Sequence, residues 1–397
     1  MDELTQNTKA FVFVVCGARE HIDTLHLALK HIRQYTKYPI IILSDTSRNE
    51  INIEHDNLID VRCPETYNNH QASIYLKTGI HKFLPKHKHY CYLDTDIIAL
   101  NEEINNIFNH YVPPITFAPD HCTVPIFSPY AVNCSCLTKN QTQVAELNAL
   151  LNRFDPNRQF SEEQKEASKT LIALFNQKKK NKLSYLLIIL RYLISRKIFT
   201  LNDFFLDKKT KIWYRAADKL PVLYDYKRIA KTIAAKSPYR WRSVLRAWQN
   251  AEGENVFNLR CDHLTESISE DFNIRVSNKN WQHWNGGVFL FDDQSEDFLN
   301  GWHDKSLQAF DLPNWKTRDQ GTLIATAWEF GLDKHKTLDK KWNFLADYYK
   351  EGIDFNEKGE FTDDYWNTSQ KVNFIHIYHH WGDESWPLWN WVTAQRK

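Results

Sequence analysis

An α/β fold built on a mixed, mainly parallel, Rossmann-like sheet flanked by helices is what residues 10–110 predict. Three observations carry it: apolar runs too short to be helices, segments of helical spacing between them, and prolines at the joins. Phe11-Val12-Phe13-Val14-Val15 reads as a strand buried on both faces. Leu25, Ala28, Leu29 and Ile32 then recur at helical spacing, with Asp23 or Thr24 placed to cap and Pro39 beyond the end. Ile40-Ile41-Ile42-Leu43 is the second strand and Leu58-Ile59-Asp60-Val61 a short third. Leu76, Ile80 and Phe83 mark one face of a helix that Pro85 stops, after which Tyr90-Cys91-Tyr92-Leu93 re-enters the sheet. Ligands of such sheets bind at the carboxyl ends of strands. Asp94-Thr95-Asp96 stands at one such end, and residues two apart on a strand share a side, so both carboxylates can face one hard cation.

The chain of 397 residues has room for two or three domains, and 42% hydrophobic with 25% charged residues excludes a disordered or fibrous class. Met1-Asp2-Glu3-Leu4-Thr5 is acidic and polar, so no secretory signal or N-terminal anchor is expected. Seven scattered cysteines, Cys16, Cys63, Cys91, Cys122, Cys134, Cys136 and Cys261, fit a reducing compartment. Cys134-Ser135-Cys136 is half of a zinc pattern with no second pair at ligand spacing nearby, so buried free thiols are the reading.

A formal charge of +1 hides an asymmetry: from Lys165 to Arg246 there are 21 Lys+Arg against 5 Asp+Glu, leaving 29 against 44 elsewhere. Three divisions follow: 1–125 as an α/β half with the paired aspartates, 126–280 as a basic and mainly helical insertion, and 281–397 as a separate half. The last holds 11 of the 14 tryptophans between Trp281 and Trp391. The apolar stretch Leu183–Ile194 is too short, and broken by Arg191, to span a bilayer, which needs about 20 apolar residues; it reads as a buried or interfacial helix.

Further constellations lie downstream. Asn285-Gly286-Gly287 precedes the apolar run Val288-Phe289-Leu290-Phe291, so two residues without side chains give a bulky group room at the backbone, or mark a bulge. Asp319-Gln320 precedes an apolar helix, where the aspartate is either a cap or a functional group. Phe374–Gly382 reads as a strand with three histidines, any of which could complete a metal site.

Taken together these segments resemble the metal-dependent glycosyltransferases of the GT-A fold, most closely glycosyltransferase family 8. Tyr75-Leu76-Lys77, Phe83-Leu84-Pro85 and Tyr92-Leu93-Asp94-Thr95-Asp96 look like the family's Y-x-R, L-P and Y-L-D-x-D series. Asn285-Gly286-Gly287-Val288 resembles N-A-G-V, Asp319-Gln320 resembles D-Q, Leu338–Asn343 resembles L-D-x-x-W-N, and His379-x-x-Gly382 resembles H-x-x-G. Lys77 stands for the usual arginine, and Glu384-Ser385-Trp386-Pro387 lacks the lysine of K-P-W. The resemblance covers roughly residues 10–125 and 281–390.

It implies a nucleotide-diphosphate sugar donor, UDP-linked, bound through Mn²⁺ or Mg²⁺ held by Asp94, Asp96 and His379, with His376 as the alternative. Spacing to Gly382 favours His379, whereas the strand pattern fits His376. It further implies retention of anomeric configuration, with Gln320 and Asp319 beside the anomeric carbon and Asn285 and Lys77 positioning sugar and phosphates. Thr95, Gly286, Gly287 and Gly382 would also contact the donor, and Val15, Gly17 and Ala18 would line the uridine pocket, with Asp45 as a weaker candidate.

The acceptor is expected to be a glycan or glycolipid, and the location cytoplasmic, peripheral at the inner face of the membrane. Lys231, Lys236, Arg240, Arg242 and Arg246, interleaved with Tyr239, Trp241 and Trp248, offer a face for anionic headgroups. A solvated basic face is the plainer alternative, and no nucleic-acid module accompanies the charge. Two rival functions are a carbohydrate-binding protein without catalysis and a sugar nucleotidyltransferase. The first has no need of Asp-Thr-Asp with Asp-Gln. The second usually carries a glycine-rich phosphate loop, of which Cys16-Gly17-Ala18-Arg19 is a poor version.

Overall fold

The computed structural model describes residues 8–349, 353–362 and 368–394. In chain order the first strands are β1 (Lys9–Val14), β2 (Ile40–Ser44), β3 (Leu58–Asp60), β4 (His89–Leu93), β5 (Ile97–Ala99) and β6 (Thr116–Thr123). Next come β7 (Ile198–Leu201), β8 (Phe204–Asp207), β9 (Ile212–Arg215), β10 (Pro221–Tyr224), β11 (Arg240–Arg242) and β12 (Ala247–Gln249). The chain then forms β13 (Gln282–Phe291), β14 (Phe344–Leu345), β15 (Asp354–Phe355), β16 (Glu360–Thr362), β17 (Gln370–Lys371) and β18 (Phe374–His376).

The main sheet has the order β3-β2-β1-β4-β13-β6. Strands β1 to β4 pair in parallel, while β13 runs antiparallel to both β4 and β6, so five of the six strands point one way. Side-chain alternation sorts β1 between two cores. Val12 and Val14 pack with Ala72 and Leu76 of the Asn69–Thr78 helix on one face. Phe11 and Phe13 meet Ile22, Leu25, Ala28, Leu29 and Ile32 of the Arg19–Tyr35 helix on the other. The mainly parallel sheet flanked by helices is thus the predicted one.

Several boundaries differ from the sequence reading. The first helix starts at Arg19, so Asp23 and Thr24 lie inside it rather than at its cap. The helix expected through Phe83 ends at Thr78, after an Asn68/Gln71 capping box at its start, and Gly79 separates it from a short 3-10 turn. Residues 281–397 are not a separate half, because β13 lies inside the main sheet between β4 and β6. Two compact units divide the chain instead: residues up to Cys134 with those from Arg260 on, and Ser135–Leu259.

The second unit holds more helix than strand, but it is not helix alone. Helices Cys136–Phe154, Glu162–Lys180, Lys182–Ile194 and Tyr226–Ala234 accompany a four-stranded antiparallel sheet, β10-β9-β8-β7, and the β11-β12 hairpin. Tyr239 and Trp248 are buried in a core cluster with Leu147, Leu151 and Ile233, so these two aromatics are packing groups, whereas Trp241 is half-buried between the exposed Arg240 and Arg242. The polar ends of the two buried rings are satisfied internally, Tyr239 Oη donating to Glu146 Oε2 at 2.6 Å and Trp248 Nε1 to Tyr226 Oη at 2.8 Å.

Candidate active site

The turn that ends β4 builds the centre. Asp94 N donates to Gly287 O of the neighbouring β13 (2.9 Å), and Ile97 N closes back on Asp94 O (3.2 Å), so Thr95 and Asp96 project from a tight reversal. Strand β5 then pairs antiparallel with β18, placing His376 opposite Ile97, and Ile377 N donates to Asp96 O at 3.1 Å. The C-terminal histidine therefore reaches the aspartates through a strand pairing.

Ligand atoms of Asp94, Asp96 and His376 all lie within 4.8 Å of one another. His379 is not in this group: β18 ends at His376, and His379 is exposed beyond it, its ring 4.3 Å from that of Tyr378. Of the two histidines left open by the sequence, His376 is the one brought to the aspartates.

The hydrogen bonds around His376 fix its tautomer. Asn343 Nδ2 donates to Asn285 Oδ1 (2.8 Å), which turns Asn343 Oδ1 toward His376 Nδ1 at 3.0 Å and places the ring proton there. The Nε2 lone pair then faces Asp96 Oδ1 at 3.1 Å, a buried oxygen that makes no hydrogen bond. Two acceptors aimed at each other call for a cation between them, either a proton or a metal ion. Burial disfavours a charged His376, but Asp96 and then Asp94 raise its pKa above the ordinary value. Burial raises Asp96 while His376 more than offsets it, leaving that carboxyl lowered. At Asp94 burial prevails over the opposing Lys77, and the Asp96 charge adds to it, so its pKa is raised. Two carboxylates and one imidazole form a donor set that suits a divalent cation.

Lys77, in the last turn of the Asn69–Thr78 helix, bridges two carboxylates, with Nζ 3.1 Å from Asp94 Oδ1 and 3.3 Å from Asp319 Oδ2. Burial would lower its pKa, and the two carboxylates raise it instead. Asp319 opens the Gln320–Glu329 helix, yet its carboxylate points to Lys77 and not simply to a cap. Tyr92 Oη donates to Asp94 Oδ1, and Lys77 Nζ lies 5.3 Å above the Tyr92 ring.

The glycines of β13 are needed by protein groups. At Gly287 a Cβ would meet Asn285 Oδ1 and His376 Cε1, each at 2.8 Å, and at Gly286 it would press on Gln320 Oε1 at 3.3 Å. A register shift against β6 spans Asn285 to Phe289, so the bulge reading applies as well. Gln320 is tied at both ends, Oε1 accepting from Gly286 N (3.1 Å) and Nε2 donating to Trp284 O. Asn285 Nδ2 donates to Asp120 Oδ2 (3.0 Å), which links β13 to β6.

A cleft of about 430 Å³ lies at the carboxyl ends of β1 and β4, lined among others by Val15, Ala18, Lys77, Asp94, Thr95, Asp96 and Asp319. Gly17 flanks it with φ +103°, and a Cβ there would fall 2.6 Å from Asn69 Nδ2. Asp45 does not line the cleft. It is buried and bound by Ser47 Oγ, Arg48 Nε and Cys63 N, and although burial raises its pKa these partners bring it down to about 2. Gly382, at φ +78°, lies past β18 and outside this lining. Sequence reasoning gave no role to Tyr92, Asp120 or Asn343; Asn343 was visible only as the end of the Leu338–Asn343 segment.

No family model and no curated protein matches the chain. Solved structures do. The apo glycosyltransferase GlyE of Streptococcus pneumoniae TIGR4 aligns over 98% of this chain and 61% of its own, at 10% identity and a TM-score of 0.40. Mouse xyloside xylosyltransferase 1 aligns over 94% and 98%, at 9% identity and a TM-score of 0.37. The galactosyltransferase LgtC, solved with donor and acceptor sugar analogs, aligns over 98% and 96%, at 9% identity and a TM-score of 0.40.

Proposed function

We propose that this protein transfers a sugar from a nucleotide-diphosphate donor, UDP-linked, to a glycan or glycolipid acceptor with retention of anomeric configuration. The observation that carries the reading is the facing pair Asp96 Oδ1 and His376 Nε2, beside Asp94, at the edge of a cleft where an α/β sheet binds ligands. Asp94, Asp96 and His376 would hold Mn²⁺ or Mg²⁺. When bound, such an ion supplies charge neutralisation for a departing diphosphate, a contribution of several kcal/mol.

The chain's own groups do the rest. Asn343 holds His376 in the tautomer that presents Nε2. Lys77 keeps Asp94 and Asp319 apart in charge while lining the cleft, where its ammonium can also meet the donor's phosphates. Asp319 also lines the cleft and is assigned to the sugar, beside the anomeric carbon. Gln320 and Asn285 act through the β13 backbone, holding the Gly286-Gly287 bulge against the centre. The test is UDP-sugar turnover with a panel of donors: metal-dependent release of UDP supports transfer, binding without release supports the carbohydrate-binder alternative, and pyrophosphate formation supports a nucleotidyltransferase.

A second surface favours a membrane-borne acceptor. In the Lys182–Ile194 helix only Ile188 is buried, while Leu183, Leu186, Leu187, Leu190, Leu193 and Ile194 are exposed, the last at 79%. Lys178, Lys179 and Lys180 precede it and Arg196 and Lys197 follow. An apolar face bordered by cations fits the boundary of an anionic bilayer, each cation contributing about 1 kcal/mol. No helix among the described residues is long and apolar enough to cross a membrane. Sedimentation with anionic vesicles should carry the protein down, and Leu186→Glu with Leu190→Glu should release it. Recovery of wild-type protein in the supernatant at low salt would end this reading.

A further inference from the structure

The thiols that read as free in the sequence are not scattered in space. Cys134 and Cys261 are 127 residues apart, yet their Sγ atoms are 4.0 Å from each other. Ligand atoms of Cys134, Cys261 and His263 all fall within 4.8 Å. Around a tetrahedral zinc, with bonds of about 2.3 Å to sulfur, two thiolates sit roughly 3.8 Å apart, so the observed spacing needs little adjustment. The sequence supplies the fourth donor: Cys134-Ser135-Cys136 and Cys261-Asp262-His263 are two pairs with the same one-residue gap. Three cysteines and one histidine are an established set for a closed structural site.

Polar groups gather around the Cys261 sulfur. Leu264 N donates to Ser128 Oγ at 2.9 Å, and the Ser128 hydroxyl, with its proton still available, lies 3.1 Å from Cys261 Sγ. The backbone N–H of His263 also reaches that sulfur. Donors gathered on one sulfur are the outer contacts that orient and hold a metal thiolate. They come from the Val124–Ala131 helix and from the start of the His263–Phe272 helix, two elements of the same compact unit.

We infer that Cys134, Cys261 and His263, with Cys136 completing the set, form a structural zinc site separate from the acidic cleft. Binding takes three thiolates and one neutral imidazole; each thiol gives its proton to solvent, and no electron changes hands. Zinc there would tie Cys134 to Cys261 and His263, residues of one compact unit that lie far apart in sequence, and so close a loop of the chain.

The test uses the full chain, purified with reductant and dialysed exhaustively. Elemental analysis should find one zinc per chain, and Co²⁺ exchanged into it should give the visible bands of a tetrahedral thiolate site. Cys134→Ser with Cys261→Ser should remove both, whereas Asp96→Asn should leave both unchanged, which separates this site from the cleft. Cys136→His covers the event that serine variants fail to fold: it should retain zinc and shift the Co²⁺ spectrum. A folded wild-type chain without zinc whose cysteines at 134, 136 and 261 all alkylate readily would overturn the inference, as would a Cys134–Cys261 disulfide in the purified protein.

Discussion

Replacing Lys77 by methionine isolates the electrostatic core of the cleft. Lys77 Nζ lies 3.1 Å from Asp94 and 3.3 Å from Asp319, with side-chain exposures of 12%, 28% and 23% respectively. Methionine keeps the length and removes the charge, leaving two largely buried carboxylates without their cation. Breaking a buried pair in this way costs about 3–5 kcal/mol, and with both carboxylates about a quarter exposed the low end applies. At roughly 2 °C per kcal/mol for a chain of this size, Tm should fall by about 6 °C.

The pH dependence has a defined sign. Burial raises the Asp319 pKa and Lys77 more than offsets it, so the folded value lies below the ordinary 3.8. Stability from that pair is present above pH 3.8 and is lost as the pH falls through the lower folded value. The gap in Tm between wild type and Lys77→Met should therefore be open at neutral pH and close in acid. Adding Asp319→Asn to Lys77→Met should recover about half of the loss, and Mn²⁺ should raise Tm more in Lys77→Met than in the wild type, because it neutralises Asp94 in place of the ammonium. Thermal melts by circular dichroism read all four quantities. A Tm within about 1 °C of wild type at pH 7 would refute the ion-pair argument.

Other outcomes follow from the same contacts. Asn343→Ala removes the partner of His376 Nδ1 and should weaken Mn²⁺ binding about 10–100-fold by calorimetry, with little change in fold. His376→Ala should abolish measurable Mn²⁺ binding at the concentrations that saturate wild type, while His379→Ala should leave it intact; the reverse pattern would restore His379 as the ligand. Mn²⁺ affinity should fall about tenfold per pH unit below the raised pKa of His376, since the ion needs the neutral ring, and a pH-independent affinity would remove the histidine from the site.

How much of this was legible in the sequence depends on the range of the interaction that sets each feature. The strands β1, β2 and β4 declare themselves as short apolar runs, because burial on both faces of a sheet leaves no room for polar residues. Asp94 and Asp96 stand out for the same reason, as the first carboxylates after such a run. The choice between His376 and His379 was not legible, since it rests on the register of β5 against β18, three residues on each side, set by tertiary pairing. Gly286 and Gly287 were read as room for a bulky group or as a bulge; the bulge is there, and Gln320, Lys77 and His376 occupy the room. The antiparallel sheet of residues 198–224 escaped because its strands, though aromatic and β-branched, are only four residues long and follow a long helical stretch. Cys261 and His263 could not be joined to Cys134 from spacing, because 125 or more residues intervene and no pattern of short range records the return of the chain.

UDP release from a saturating UDP-sugar, measured for wild type and Asp96→Asn with Mn²⁺ and again with EDTA, tests the central claim most directly. Transfer through a cation held by Asp94, Asp96 and His376 predicts a wild-type rate that EDTA abolishes and excess Mn²⁺ restores. In Asp96→Asn it predicts a loss of at least ~100-fold, about 2.7 kcal/mol of barrier. A folded Asp96→Asn protein that turns over at the wild-type rate, or a wild-type rate indifferent to EDTA, would contradict it.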